Sequence, residues 1–265
     1  MKIYISADIE GITGTTHWDE TDKKHADYGE YQEQMTAEVV AACEGALAAG
    51  ATELWVRDAH DSARNILAGK LPRAARLVRG WSGHPFMMMD GLDESFRAAM
   101  MIGYHARGGS DHSPLAHTMS GGIAHMRINE RYASEFMINT YTAALVKTPV
   151  VFVSGDAGLC QDAAGLVPSI TSVAVKENLG EATINIHPAL AVERIRSGAQ
   201  AALAENLDAC RLALPEHFKV EVCYKSYIKA YGASFYPGVR QADPFTIQFE
   251  TDDYFEVLRL FAFVL

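Results

Sequence analysis

The chain has 265 residues, of which 49% are hydrophobic and 21% are charged, a composition typical of globular proteins. A formal net charge of −10 argues against the basic surface that nucleic-acid binding requires. The longest apolar run is too short to span a bilayer and no signal or transit peptide is evident, so neither nucleic acid nor a membrane is an expected partner. The four scattered cysteines form no CxxC pair, which favours reduced thiols and a cytoplasmic location.

Strands and helices are predicted to alternate through the first two thirds of the chain. The strand "KIYISA" comes first, and apolar residues at helical spacing then predict a long helix that ends at Gly50. Three further apolar runs are predicted as strands: "TELWVRD", "RAAMMIGY" and "PVVFVSGD". Helices are predicted over residues 135–146 and 188–206. This alternation indicates an α/β fold in which helices flank a mostly parallel sheet.

The pattern changes after residue 180. An alanine-rich helix is followed by two segments of alternating polarity, "FKVEVCYKSY" and "FTIQFETDD", and then by an apolar helix. We therefore expect a larger α/β domain over residues 1–180 and a smaller C-terminal α+β domain over residues 181–265. No linker marks the boundary between them, and the last helix is compatible with either an interface or a core.

Carboxylate and imidazole side chains follow the predicted parallel strands, at the point where each strand ends. They are Asp8, Glu10, Asp58, His60, His105 and Asp156. Because the carboxyl ends of parallel strands meet at one edge of a sheet, where ligands bind, we expect these side chains to lie close together. Each motif alone has another interpretation, since Asp8 could cap a turn and a single histidine is commonly structural. Together, oxygen and nitrogen ligands without cysteine favour Zn²⁺ or a similar ion, in a catalytic centre of two metal ions within residues 1–180.

Five segments contain a distinctive set of motifs: "SADIEGITG", "RDAHDSARN", "MIGYHARGGS", "AHTMSGG" and "NERYASEFMIN". In order and spacing, they resemble the M55 family of zinc-dependent D-aminopeptidases. Two later segments, "YGASFYPGV" and "TIQFETDD", extend the resemblance over most of the chain. Ala7 and Ile9 depart from the family pattern by conservative apolar changes and leave the ligand set complete.

The resemblance implies two zinc ions in each subunit, held by five side chains. Asp8 would be shared by both ions. The other ligands would divide into two pairs, Glu10 with His105 and His60 with Glu135. Since two zinc ions lower the pKa of a bound water to about 7 and polarise a carbonyl group, the implied chemistry is hydrolysis of a peptide bond at neutral pH.

The resemblance also assigns roles that the residues alone do not define. His117 falls at the position of the family's catalytic histidine, where it would move a proton or stabilise the tetrahedral intermediate. From the residues alone, Glu135 is only a carboxylate favoured by the dipole at the start of a helix. Asn139, one turn further along that helix, is expected to support the site without binding metal.

The implied substrate is a short peptide with a D-amino acid at its N-terminus, D-Ala preferred. The resemblance also implies a ring-shaped homo-oligomer, a pentamer or decamer, whose active sites face an enclosed chamber. Two alternatives remain. A hydrolase of the same fold could act on L-aminopeptides or another small amide, because the sequence does not define stereochemistry. A non-catalytic, metal-stabilised peptide-binding protein is the second, and the presence of His117 argues against it.

Overall fold

The computed structural model describes residues 1–265 and contains twelve strands and six helices. The strands are β1 (Lys2–Ala7), β2 (Glu53–Asp58), β3 (Ala75–Val78), β4 (Ala98–Tyr104), β5 (Ile123–Ile128), β6 (Arg131–Tyr132), β7 (Val150–Asp156), β8 (Thr171–Leu179), β9 (Ala182–Asn185), β10 (Phe218–Tyr224), β11 (Arg240–Gln241) and β12 (Thr246–Thr251). The helices are α1 (Tyr28–Ala48), α2 (Glu135–Leu145), α3 (Ala157–Leu166), α4 (Pro188–Ala204), α5 (Tyr227–Ala233) and α6 (Tyr254–Val264). None of the helices combines the length and the apolar character needed to cross a membrane.

The first sheet has seven strands in the order β3-β2-β1-β4-β7-β8-β9. Its strands are parallel except for the antiparallel pair β8–β9. β1 lies between β2 and β4, so that Ala7 is opposite Asp58 on one side and Ile102 on the other. The three segments that follow these strands therefore leave the sheet side by side.

Two glycines allow the turn after β1 to approach the end of β4. Gly103 has a φ angle of +70°, and a Cβ atom there would lie 2.3 Å from the carbonyl oxygen of Asp8. A Cβ atom on Gly11 would lie 1.7 Å from the carbonyl oxygen of Tyr104. Since neither position has room for a side chain, glycine is required for the Asp8 turn to pack against β4.

Helices cover both faces of the first sheet. α1 and α4 pack together on one face, around a core of 30 buried residues that includes Ile5, Val39 and Ile195. The other face is covered by α2, α3 and the short 3-10 helix Met87–Met89, around a separate cluster that includes Phe136. Both faces are therefore buried, as a parallel sheet requires.

The second sheet is antiparallel, with the order β11-β12-β10-β5-β6. α2 and α6 pack on it and contribute Ile138 and Leu258, among others, to its core. Because Phe136 of α2 belongs to the core beneath the first sheet, α2 lies between the two sheets. Nine of its eleven residues are buried, so both cores fix its position.

The predicted fold class is confirmed: a mostly parallel sheet flanked by helices is joined to a smaller α+β unit. The sheets are nevertheless not separated at residue 180. β9 and α4 follow that residue, yet β9 pairs with β8 and α4 packs on α1. β5 and β6 precede it, yet they belong to the second sheet. The reason is that the chain enters the second sheet at β5, returns to the first at β7, and reaches the second again at β10.

Candidate metal centre

The five predicted ligands converge on one buried site. Asp8 and Glu10 follow β1, His60 follows β2 and His105 follows β4, while Glu135 is the first residue of α2. Each of these side chains is at most about a tenth exposed. Adjacent parallel strands thus provide four of the five groups, and a helix held between two cores provides the fifth.

Asp8 lies between two histidines. Its Oδ1 atom is 3.4 Å from Nδ1 of His60, and its Oδ2 atom is 3.5 Å from Nε2 of His105. The same nitrogen of His60 is 3.1 Å from Oε1 of Glu10, and that of His105 is 3.3 Å from Oε2 of Glu135. The arrangement is therefore a row of alternating carboxylates and imidazoles with Asp8 at its middle, where a shared ligand would have to be.

Backbone carbonyl groups set the orientation of the imidazoles. Nε2 of His60 is 2.9 Å from the oxygen of Thr21, and Nδ1 of His105 is 2.9 Å from that of Ala106. A carbonyl oxygen only accepts, so in the neutral ring this nitrogen has the proton. The opposite nitrogen then directs a lone pair at carboxylate oxygens, which are also acceptors. Facing lone pairs need a cation between them.

The donor set fits a metal ion such as Zn²⁺. Oε2 of Glu10 and Nε2 of His105 are buried without any hydrogen-bond partner, which is costly unless a cation binds them. Ligand atoms of Asp8, Glu10 and His105 lie within 4.8 Å of one another, as a common ion would require. The shortest contacts instead join His60 to Glu10 and His105 to Glu135, so the division of the ligands between two ions stays a prediction.

The electrostatics of the site favour bound positive charge. Burial and the nearby charge of Glu10 raise the pKa of Asp8 well above its usual value. Burial disfavours the charged form of His105, yet the nearby negative charge of Glu135 raises its pKa to about 10. Burial likewise opposes ionisation of Glu135, but the charge of His105 lowers its pKa to about 2. The carboxylates therefore hold protons on the imidazoles unless a metal ion replaces them.

His117, the predicted catalytic residue, lies at the edge of this row. Its ring is stacked on that of His105, and its Nε2 atom is 3.5 Å from Oε1 of Glu135. Its Nδ1 atom is 2.9 Å from the carbonyl oxygen of Leu115, which leaves the lone pair on Nε2. Trp18 packs edge-on against the ring at 5.3 Å. Unlike the five predicted ligands, His117 is partly exposed to solvent.

Asp58 and Asp156 lie at the same sheet edge, as predicted. Their carboxylates, however, accept hydrogen bonds from backbone N–H groups of neighbouring segments. Asp58 accepts hydrogen bonds from the backbone N–H groups of Asn65 and Ile66 and from the Asn65 side chain. Asp156 caps α3 and also accepts from the N–H of Ala106. A carboxylate that fixes a loop and one that binds a ligand look identical in sequence, so the pattern could not separate them.

A cavity of about 570 Å³ opens onto four of the five predicted ligands, Asp8, Glu10, His60 and Glu135. Its lining includes residues that sequence analysis did not single out: Trp18, Asp61, Trp81, Asp90, Met119 and Phe261. Nε1 of Trp81 donates to the carbonyl oxygen of Asp61 at 2.7 Å, and the buried guanidinium of Arg57 lies 4.3 Å from the centroid of the Trp81 ring. Trp81 lies in the loop segment "GWSG", which has no helical or strand periodicity in its apolar residues. The flanking glycines were therefore the only sequence signal of an unusual backbone conformation there.

A buried row of carboxylates and imidazoles, at the carboxyl edge of a parallel sheet and open to a cavity, defines the class of metal-dependent hydrolases. The family model of peptidase M55, D-aminopeptidase, matches residues 1–263. The D-aminopeptidase of Bacillus subtilis (strain 168) is 31% identical over 258 residues, which cover 97% of this chain and 93% of that protein. The chain therefore belongs to the peptidase M55 family of D-aminopeptidases, as its motifs predicted.

A solved structure supports the same assignment. The zinc-dependent D-aminopeptidase DppA from Bacillus subtilis, described as a self-compartmentalizing protease, superposes with a TM-score of 0.92. The two sequences are 31% identical, and the match covers 98% of this chain and 95% of that one. The arrangement of both sheets is thus the fold of this family.

Proposed function

We propose that this protein binds two zinc ions through Asp8, Glu10, His60, His105 and Glu135 and removes N-terminal D-amino acids, D-Ala preferred, from short peptides. The main support is the buried row of alternating carboxylates and imidazoles described above, whose facing oxygen and nitrogen atoms are suitable metal ligands. Asp8 is the natural shared ligand, because each of its oxygens faces a different histidine. Membership of the D-aminopeptidase family supports the reaction type.

His117 is the proposed proton carrier. Zinc bound at the site would lower the pKa of a water to about 7 and polarise the scissile carbonyl group. With Nδ1 bonded to the Leu115 carbonyl, Nε2 of His117 is free to accept a proton from the attacking water and to pass it to the leaving amine. Stacking on His105 and contact with Trp18 would hold the ring in place during this transfer.

The cavity supports a small cationic substrate. Carboxylates of Asp61 and Asp90 line it, and the negative potential that they add attracts the free ammonium group of a peptide N-terminus. The indole rings of Trp18 and Trp81, each nearly half exposed, offer apolar walls for the substrate side chain. A volume of about 570 Å³ suits a short peptide.

The subunits are proposed to form a ring-shaped homo-oligomer, a pentamer or decamer, around an enclosed chamber. Support comes from an apolar surface on and beside α5, here called the α5 surface, on which four side chains are more than half exposed: Tyr227, Ile228, Tyr231 and Phe235. Such patches are typical of interfaces. The four cysteines are unpaired, which is consistent with a cytoplasmic location.

Parallel assays with D-alanine and L-alanine p-nitroanilides, together with the zinc content of the protein, test the proposal. We expect hydrolysis of the D-compound and loss of this activity when zinc is removed by a chelator. Hydrolysis confined to the L-compound would support the alternative reaction on L-aminopeptides. Zinc binding without hydrolysis of either compound would favour a peptide-binding protein.

A further inference from the structure

A hydrogen-bonded chain of buried side chains runs beneath the candidate metal centre. Nδ2 of Asn139 lies 3.0 Å from the hydroxyl oxygen of Tyr104, which lies 2.7 Å from Oγ of Ser6. Oγ of Ser6 in turn donates to the carbonyl oxygen of Met88 at 2.8 Å. The side chains of Ser6, Tyr104 and Asn139 are at most about 1% exposed, so water does not compete for these bonds.

The direction of the chain follows from counting hydrogens. A serine hydroxyl has one hydrogen, and Ser6 gives it to Met88, so Tyr104 must donate to Ser6. The Tyr104 oxygen is then the acceptor for the amide N–H of Asn139. All bonds run one way, and each hydroxyl both donates and accepts, an arrangement in which neighbouring bonds strengthen one another.

Each member of this chain lies on a segment that carries a residue of the site. Ser6 is two residues before Asp8, Tyr104 directly precedes His105, and Asn139 is one helical turn after Glu135. Met88 lines the cavity itself. Tyr104 is the central member, because its hydroxyl bonds directly to the side chains of both Ser6 on β1 and Asn139 on α2.

We infer that Tyr104 is a positioning residue, whose hydroxyl fixes α2 against the paired strands β1 and β4 and thereby sets the distance of Glu135 from Asp8 and His105. This inference rests on the proposed zinc site and adds a residue to it. The ring of Tyr104 fills space in the core and would do so equally as phenylalanine. Backbone pairing also joins β1 to β4, and Met88 contacts both Ser6 and Asn139. The Tyr104 hydroxyl adds the direct bonds from β4 to both side chains, so its removal separates positioning from packing.

The test is the zinc dissociation constant of Tyr104→Phe, measured by competition with a chromophoric chelator, with Tyr254→Phe as the matched control. The Tyr254 hydroxyl is equally buried and also bonds α2, by donating to the carbonyl oxygen of Ile138, but it is outside the chain. We expect Tyr104→Phe to weaken zinc binding about tenfold, the lower end for groups that orient metal ligands. We also expect kcat of Tyr104→Phe to fall by a larger factor than its KM changes. Tyr254→Phe should keep a zinc dissociation constant within about twofold of the wild-type value.

Ser6→Ala provides a second variant that interrupts the same chain, and it serves alone if Tyr104→Phe does not fold. The double variant Ser6→Ala/Tyr104→Phe should bind zinc about as weakly as Tyr104→Phe alone, since groups within one network are not additive. Unchanged zinc binding by Tyr104→Phe, or by Ser6→Ala where only that variant folds, would overturn the inference. An equal loss in Tyr254→Phe would also overturn it. Failure of the wild-type protein to bind zinc would instead overturn the proposed function.

Discussion

The imidazole rings of His105 and His117 are stacked, with centroids 4.2 Å apart and planes inclined by 9°. Backbone carbonyl groups face Nδ1 of both rings, so both Nε2 atoms face Glu135, at 3.3 Å from Oε2 and 3.5 Å from Oε1. One carboxylate therefore contacts both a predicted metal ligand and the proposed proton carrier. The carboxylate also accepts a hydrogen bond on Oε1 from the N–H of Met119 at 2.7 Å, which fixes its orientation.

Replacing His117 should separate metal binding from catalysis. We expect His117→Ala to lower kcat for D-alanine p-nitroanilide by about 10²- to 10⁴-fold, the usual contribution of a general acid or base. Zinc content should be unchanged, because His117 is not a proposed ligand. His84→Ala is the control, since His84 also lines the cavity but is exposed and forms its hydrogen bonds with Ser82 and Phe86, not with a proposed ligand. Loss of zinc from His117→Ala would show that this histidine is a ligand instead.

Zinc binding should release protons and become tighter as the pH rises. Burial lowers the pKa of His105 in the zinc-free protein, but the nearby negative charge of Glu135 outweighs this effect and raises the pKa to about 10. At pH 7 this ring is protonated, so it must lose a proton before Nε2 can bind a metal ion. Calorimetric titrations in two buffers of different ionisation enthalpy should detect at least one released proton. Affinity that falls between pH 6 and pH 8 would contradict this account.

Trp81 should affect substrate binding more than the chemical step. Its ring lines the cavity and is held by Arg57 and by the carbonyl oxygen of Asp61. We expect Trp81→Ala to raise KM about tenfold, equivalent to ~1.4 kcal/mol of lost contact with the substrate, and to change kcat little. Steady-state kinetics provide the measurement. The control is Trp55→Phe, which alters a tryptophan outside the cavity and should behave as wild type. A fall in kcat alone for Trp81→Ala would contradict the proposal that Trp81 contacts the substrate.

The α5 surface should be required for assembly. Introducing a carboxylate by Phe235→Glu would place charge within a buried apolar contact, which is strongly unfavourable. We expect this variant to elute as a smaller species by size-exclusion chromatography with light scattering. Leu190→Glu, on the exposed side of α4, offers the same change elsewhere and should leave the mass unaltered. An unchanged mass for Phe235→Glu would place the subunit interface elsewhere.

Four strands of the first sheet, β1, β2, β4 and β7, could be predicted, and so could the gathering of Asp8, Glu10, His60 and His105, because a parallel sheet brings strand ends together. Local periodicity defines such strands, and their polar ends mark the shared edge. Glu135 could not be found in this way. It begins a helix, and its approach to His105 depends on packing of α2 between two cores, which only the family resemblance could anticipate.

Other features depended on contacts between distant segments. The sequence predicted a division at residue 180, whereas the β8–β9 pair and the return of the chain to the second sheet interleave the two units. Asp58 and Asp156 share the sheet edge with the site, but backbone N–H groups occupy their oxygens. Trp81 lies in a loop whose conformation is set by Arg57 beneath it and Asp61 beside it. No local pattern contains such information.

The central claim is that two zinc ions on one chain support hydrolysis at a D-amino acid. Titrating zinc into the chelator-treated protein, while following hydrolysis of D-alanine p-nitroanilide, tests it most directly. We predict that activity rises with added zinc and reaches its maximum at two zinc ions per chain. A maximum at one ion per chain, or no hydrolysis of the D-compound at any zinc concentration, would contradict the claim.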